Sequence, residues 1–178
     1  MNIKTLITTV TLTIVAALHA PAQTTNTPTV ERVGIYDSRA IAVAYAGSAL
    51  HNAELRQKQA EMTKAKQTDD APTIARLKTE GKARQVTAHK QAFSTAPVDD
   101  ILAHITNALP EIQKQANVTA LISKWDETAL KQHPRAERVD ITLPLIDAFN
   151  PTATQRKSAL EIQKHKPITL KQAEQIDD

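Results

Sequence analysis

Histidines are the first side chains to weigh for chemistry, and His51, His89, His104, His133 and His165 are scattered along the chain. No H-E-x-x-H occurs and no pair stands one helical turn apart, so no zinc-type ligand set is legible and each reads as an exposed polar group. Asp69-Asp70 could hold a divalent ion, but they sit beside Pro72 where turn chemistry accounts for them. Asp99-Asp100 read as acidic residues at a helix start, where the helix dipole favours them. Asp37-Ser38 follow a strand-like run, yet no G-x-S-x-G elbow surrounds Ser38, so this pair reads as a helix cap and not a nucleophile. Trp125, the lone Trp, reads as a packing anchor at a strand end, and the Asn117-Val118-Thr119 sequon bears only on a eukaryotic secretory route.

Composition narrows the chemistry further. The 178 residues include no Cys, which excludes disulfides, thiolate metal sites and a cysteine nucleophile. Three Gly are too few for a phosphate loop or a dinucleotide fingerprint. Aromatics at 3% argue against the girdles of an outer-membrane barrel and against base-stacking platforms. The expectation is therefore a protein that is not an enzyme, with no cofactor and no resident metal.

Elements must still position whatever surface does the work. Met1-Asn2-Ile3-Lys4 gives a short positive start, residues 6–18 form an apolar run broken by threonines, and Ala20-Pro21-Ala22 supplies a small-x-small cleavage pattern. The run is too short to span a membrane. A signal peptide over 1–22, cleaved after Ala22, is expected, followed by a disordered tether over 23–29. Residues 30–36 alternate as a half-buried strand. A long helix follows, with Gly47-Ser48 as its weak point, a turn over 68–72, and a second helix over 73–93 that contains Gly81.

The apolar residues of these two helices can be paired as in an antiparallel hairpin. Met62 with Leu77, Ala65 with Ile74, and Leu55 with Val86 keep a nearly constant sum of positions, as does Ser48 with Phe93. That places an apex near residue 70. The seven-residue steps from Leu55 to Met62 and from Val86 to Phe93 are those of a coiled-coil seam. The expected hairpin, residues 45–93, has the seam Leu55, Met62, Ala65, Ile74, Leu77, Val86 and Phe93, and its arm over 45–68 would reach ~36 Å at helical rise.

An amphipathic stripe, Ile101, Ile105, Leu109, Ile112 and Ala116, predicts a helix that Pro110 must kink or restart. Strands are expected over 118–123 and 137–141 on either side of a polar excursion. Thr142 is expected to cap a short helix, Asn150-Pro151 to open another, and residues 165–178 to be loosely ordered. The predicted class is α+β and predominantly helical: a small β-sheet base with a long antiparallel, coiled-coil-like helical hairpin inserted between strands 1 and 2, all within one domain over 30–164.

This order of elements resembles the Skp/OmpH family of periplasmic chaperones. Val33-Gly34-Ile35-Tyr36-Asp37 carries the resemblance at the front. Ile112-Gln113-Lys114-Gln115-Ala116-Asn117-Val118 leading into Leu121-Ile122-Ser123 carries it near the back, and Val139-Asp140-Ile141-Thr142 with Leu145, Ile146 and Phe149 completes it, over residues 30–149. The resemblance implies a periplasmic homotrimer with a shared small β-barrel base and hairpins that enclose unfolded outer-membrane proteins. The departures are the arms, which look shorter, the two glycines within them, the excursion after Trp125 and the chain beyond Pro151.

Charge placement adds to that expectation. Residues 51–93 hold nine Lys and Arg against five Asp and Glu, whereas the rest of the chain after residue 22 holds twelve against fourteen. Arg56, Lys58, Lys64, Lys66, Arg76, Lys78, Lys82, Arg84 and Lys90 are the candidate contacts for acidic clients or an anionic membrane surface, through salt-sensitive attraction. Export argues against nucleic acid as the partner. The expected function is a periplasmic holdase for unfolded or partly folded envelope proteins, acting as a homo-oligomer. The alternative is an envelope adaptor that docks one folded partner.

Overall fold

The computed structural model describes residues 30–177; the expected signal peptide and tether lie outside the described residues. Strand β1 (Arg32–Tyr36) is the middle of a three-stranded sheet in the order β2-β1-β3. Both β2 (Ala120–Ser123) and β3 (Glu137–Asp140) pair with β1 in parallel, with Val33 opposite Ala120 on one side and Arg138 on the other. Gly34 is required at the centre of the sheet. A Cβ there would lie 2.7 Å from Ile141 Cδ1 and 3.2 Å from Val118 Cγ2.

Local signals set the helix ends. Asp37 caps α1 (Ser38–Ala46), accepting from the Arg39 amide, and the helix breaks at Gly47. The Ser48 hydroxyl then accepts from the His51 amide to start α2 (Ala49–Gln67). Asp69 adopts a left-handed φ of 47°, Asp70 accepts from the Thr73 amide, and Pro72 falls in the first turn of α3 (Ala71–Phe93). The amphipathic stripe divides into a single turn, α4 (Asp99–Leu102), a 3-10 turn over Ala103–Ile105, and α5 (Leu109–Ala116), which Pro110 opens and the left-handed Asn117 closes. Helix α6 (Glu127–Gln132) carries the chain from β2 to β3, and α7 (Thr142–Asp147) and α8 (Ala153–Glu161) follow β3.

Two expected caps are different. Thr142 lies inside α7, and its hydroxyl accepts from the Asp37 amide at 3.0 Å, tying the ends of β1 and β3 together. Asn150-Pro151 precede the helix without opening it; Thr152 caps α8, in a reciprocal capping box with Gln155. The tail read as loose is docked. Ile168 exchanges hydrogen bonds with Phe93 and Ser94, and α9 (Leu170–Glu174) buries Ala173 against α3.

The predicted fold class is corrected. The sheet is all-parallel, and parallel neighbours demand long crossovers in place of tight turns. The chain from β1 to β2 is a succession of five helices, α1 to α5, and not one coiled-coil hairpin inserted between two strands. The heptad seam does not close. Ala65 and Leu77 are buried, but Met62, Ile74 and Val86 are only half-buried, and Leu55 and Phe93 are 38% and 39% exposed. Two physical causes are visible. Helix α3 also packs on α1 and α9, and ionic side chains span the space between α2 and α3 where a seam would need apolar knobs. The core lies elsewhere, around α1, whose Ala40, Ile41 and Ala44 are buried with Val98, Ile101, Ile141, Leu145, Ile146 and Phe149. Helix α1 is flanked by α3, α7 and α8.

Candidate functional site

Because the seam stays open, α2 and α3 border a groove of about 1070 Å³ that also reaches the end of α1 and the 3-10 turn after α4. Leu55 and Met62 line it from α2, Leu77, Gly81 and Phe93 from α3, and Ile101 from α4. Gly81 leaves open space: a Cβ there would meet nothing within 4 Å. Apolar walls with a few placed polar groups are the usual constitution of a binding cleft.

At the inner end the polar groups form one cluster. The Tyr45 hydroxyl donates to Glu54 Oε2 at 2.8 Å, and Arg84 Nη2 donates to the same oxygen at 3.3 Å. His104 Nε2 stands 3.6 Å from Glu54 Oε1 and its ring stacks on Tyr45 at 4.9 Å. His51 meets Tyr45 edge-on at 5.1 Å. Burial, followed by the hydrogen bond to Glu54, pushes the Tyr45 phenol up to about 12, which keeps it a donor. Burial and then Arg84 hold His51 below the ordinary histidine value, favouring its neutral form, and His51 Nδ1 is buried without a hydrogen-bond partner among the described residues. Glu54 is thus pinned by three neighbours, an arrangement that orients α2 against α1, α3 and the turn after α4.

The expected contact cations divide into two sets. Lys58 pairs with Glu80 at 3.0 Å, Arg76 with Glu61 and Glu80, Arg84 with Glu54, and Lys90 with Glu174 at 3.0 Å. These four tie helices together. Arg56, Lys64, Lys66, Lys78 and Lys82 are exposed and have no ion pair among the described residues; of these five, Lys66 lines the groove. Lys78 and Lys82 instead flank a shallow concavity beside Val86 on another face of α3. The seam residues Leu55, Met62, Leu77 and Phe93 are brought together as groove lining, whereas Ile74 and Val86 are not among the lining residues.

A second constellation sits at the C-terminal ends of the strands. Asp37 is fully buried and accepts from the Arg39 amide, Arg39 Nε at 3.1 Å and Nη2 at 2.9 Å, and Trp125 Nε1 at 3.2 Å; Lys124 Nζ lies 2.7 Å away. Both cations also approach the Trp125 ring, Arg39 Cζ at 5.0 Å and Lys124 Nζ at 4.7 Å from its centroid. Burial alone would raise the Asp37 carboxyl; the bonds from Arg39, Lys124 and Trp125 outweigh it and hold the group below the usual carboxylate range. With its acceptor capacity taken, Asp37 locks the strand ends and offers no free valence to a ligand. Among the described residues no group of three His, Asp or Glu side chains could hold a metal ion.

Sequence reasoning did not assemble the Tyr45, His51, Glu54, Arg84 and His104 cluster. The spacing of Tyr45, His51 and Glu54 is a legible local signal, but Arg84 and His104 arrive only through the path of α3 and α4. Comparison with protein-family models, curated proteins and solved structures gives no match in any of the three.

Proposed function

We propose that this chain is an exported, non-enzymatic holdase of the periplasm that shelters apolar segments of unfolded or partly folded envelope proteins. The groove between α2 and α3 carries this reading: it is long, walled by Leu55, Met62, Leu77 and Phe93, and carries the exposed Lys66 at the end of α2. Small residues such as Gly81 and Ala88 in the wall let a bound chain approach the helices closely. Such a surface suits many weak contacts with varied sequences more than one exact partner. The N-terminal apolar run with Ala20-Pro21-Ala22 supports export. No helix among the described residues is long and apolar enough to cross a membrane. Oligomerisation, a trimer by the resemblance, would set several grooves around one client.

The test is dilution of a urea-denatured outer-membrane protein with and without the chain, followed by light scattering. Suppression of aggregation at stoichiometric amounts is expected, and Leu55→Lys is expected to lose most of it, because a charge would then stand in the apolar wall. Unchanged aggregation with the unaltered protein would end the holdase reading. A single crosslinked folded partner together with no protection of denatured clients would give the adaptor reading instead.

A further inference from the structure

The charges lining the groove are sorted in a way that client holding does not require. Glu54 is matched by Arg84 and the Tyr45 hydroxyl, Glu80 by Lys58, and Asp100 accepts from Gln91 Nε2 at 2.7 Å. Lys66 remains. It lines the groove from the last turn of α2, is exposed, and has no ion pair or hydrogen bond from its ammonium among the described residues. Between Lys66 and the Tyr45–Glu54 cluster the lining includes Met62, Leu77, Gly81 and Leu55. From Lys66 to Leu55 is roughly 16 Å of helix, the scale of an extended long acyl chain.

We propose that the groove is a binding site for a long-chain fatty-acid carboxylate, with the headgroup at Lys66 and the acyl chain along Met62, Leu77, Gly81 and Leu55. Lys66, the lining Lys or Arg without an ion pair among the described residues, argues for a negative group at that end of the groove. A cationic headgroup at that end would meet Lys66 unfavourably, and the ammonium of a lysophospholipid held there would lie away from Asp100, the lining carboxylate without an ion pair among the described residues, which belongs to α4 at the inner end. Arg84 is engaged by Glu54 and does not compete for the headgroup. The volume of about 1070 Å³ lies at the upper end of small-molecule clefts, enough for the chain with the groove mouth open. This site shares the groove of the holdase reading, but its test needs no client protein, so either can fail alone.

Isothermal titration of the full chain with monomeric palmitate, and in parallel with hexadecanol and lysophosphatidylcholine, tests the site. One saturable palmitate per chain is expected. Lys66→Gln, at an exposed position, is expected to weaken palmitate by about two- to fivefold, the weight of one exposed ion pair, and to leave hexadecanol unchanged. Gly81→Leu puts a side chain into the open space of the groove while improving helix propensity, and is expected to weaken binding by about tenfold or more. Circular dichroism checks that the variant keeps its helices, and Lys66→Gln keeps the proposal exposed to failure if Gly81→Leu does not fold. Absence of saturable palmitate binding overturns the proposal. So does binding that neither variant changes, and so does a preference for the zwitterionic lipid.

Discussion

Asp37 keeps its charge in the interior because every approach to its carboxylate is taken by a donor or a cation. The neighbouring guanidinium is 99% covered too, its Arg39 side chain only 1% exposed, so the pair stands or falls together. Asp37→Asn would leave Arg39 buried without its counter-ion, and a broken buried pair costs about 3 kcal/mol or more. Urea unfolding at neutral pH checks this as a lowered midpoint. The sign with pH follows from the lowered carboxyl. Its stabilisation is fully present above the unfolded value, about 3.9, and is lost as pH falls through the lower folded value. The gap between the natural protein and Asp37→Asn should therefore narrow in acid. At this scale the sequence was half-legible. Asp37 reads as a cap from its place before Ser38, but Lys124 and Trp125 follow a strand and stand 87 and 88 positions further along, and nothing local joins them to it.

Helix ends were the most legible part of the chain, since Ser48, Asp70, Pro72 and Pro110 act on their own backbone within a few residues. The seam between α2 and α3 was misread for a physical reason. Positions that pair by arithmetic show where two helices could meet, not whether they close. Here Ala and Gly fill much of the interface and long ionic side chains span the rest, which leaves a groove in place of interlocked knobs. Strand direction was also illegible, because a four-residue strand reads alike in either orientation and the connections decide. Within the sheet, Gly34 is the sharpest test of packing. Gly34→Ala would drive a Cβ against Ile141 and Val118, both buried, and is expected to cost about 1–3 kcal/mol. Thermal unfolding of that variant measures it.

Across the whole molecule, the C-terminal segment behaves as a clasp on the core. Arg39 Nη1 donates to the His165 carbonyl at 2.8 Å, the Ser94 hydroxyl donates to the Ile168 carbonyl at 2.7 Å, and Lys90 pairs with Glu174. Ending the chain after Lys164 would strip partners from Arg39 and Ser94, both buried, and uncover the surface that Ala173 fills. The expected loss is about 2–4 kcal/mol, read as a lower denaturation midpoint with helix content otherwise kept. The parallel sheet has a further consequence, in time. Thr119 meets Arg32 across 87 sequence positions and Thr142 meets Asp37 across 105, whereas α2 and α3 are joined by a turn of a few residues. Loop closure grows costlier with the length enclosed, and distant pairings slow folding. The contacts that close the sheet are therefore expected to form later than the turn between α2 and α3. Asp37 and Arg39 are neighbours in sequence in any state of the chain, whereas Lys124 and Trp125 reach them only through the pairing of β2 with β1.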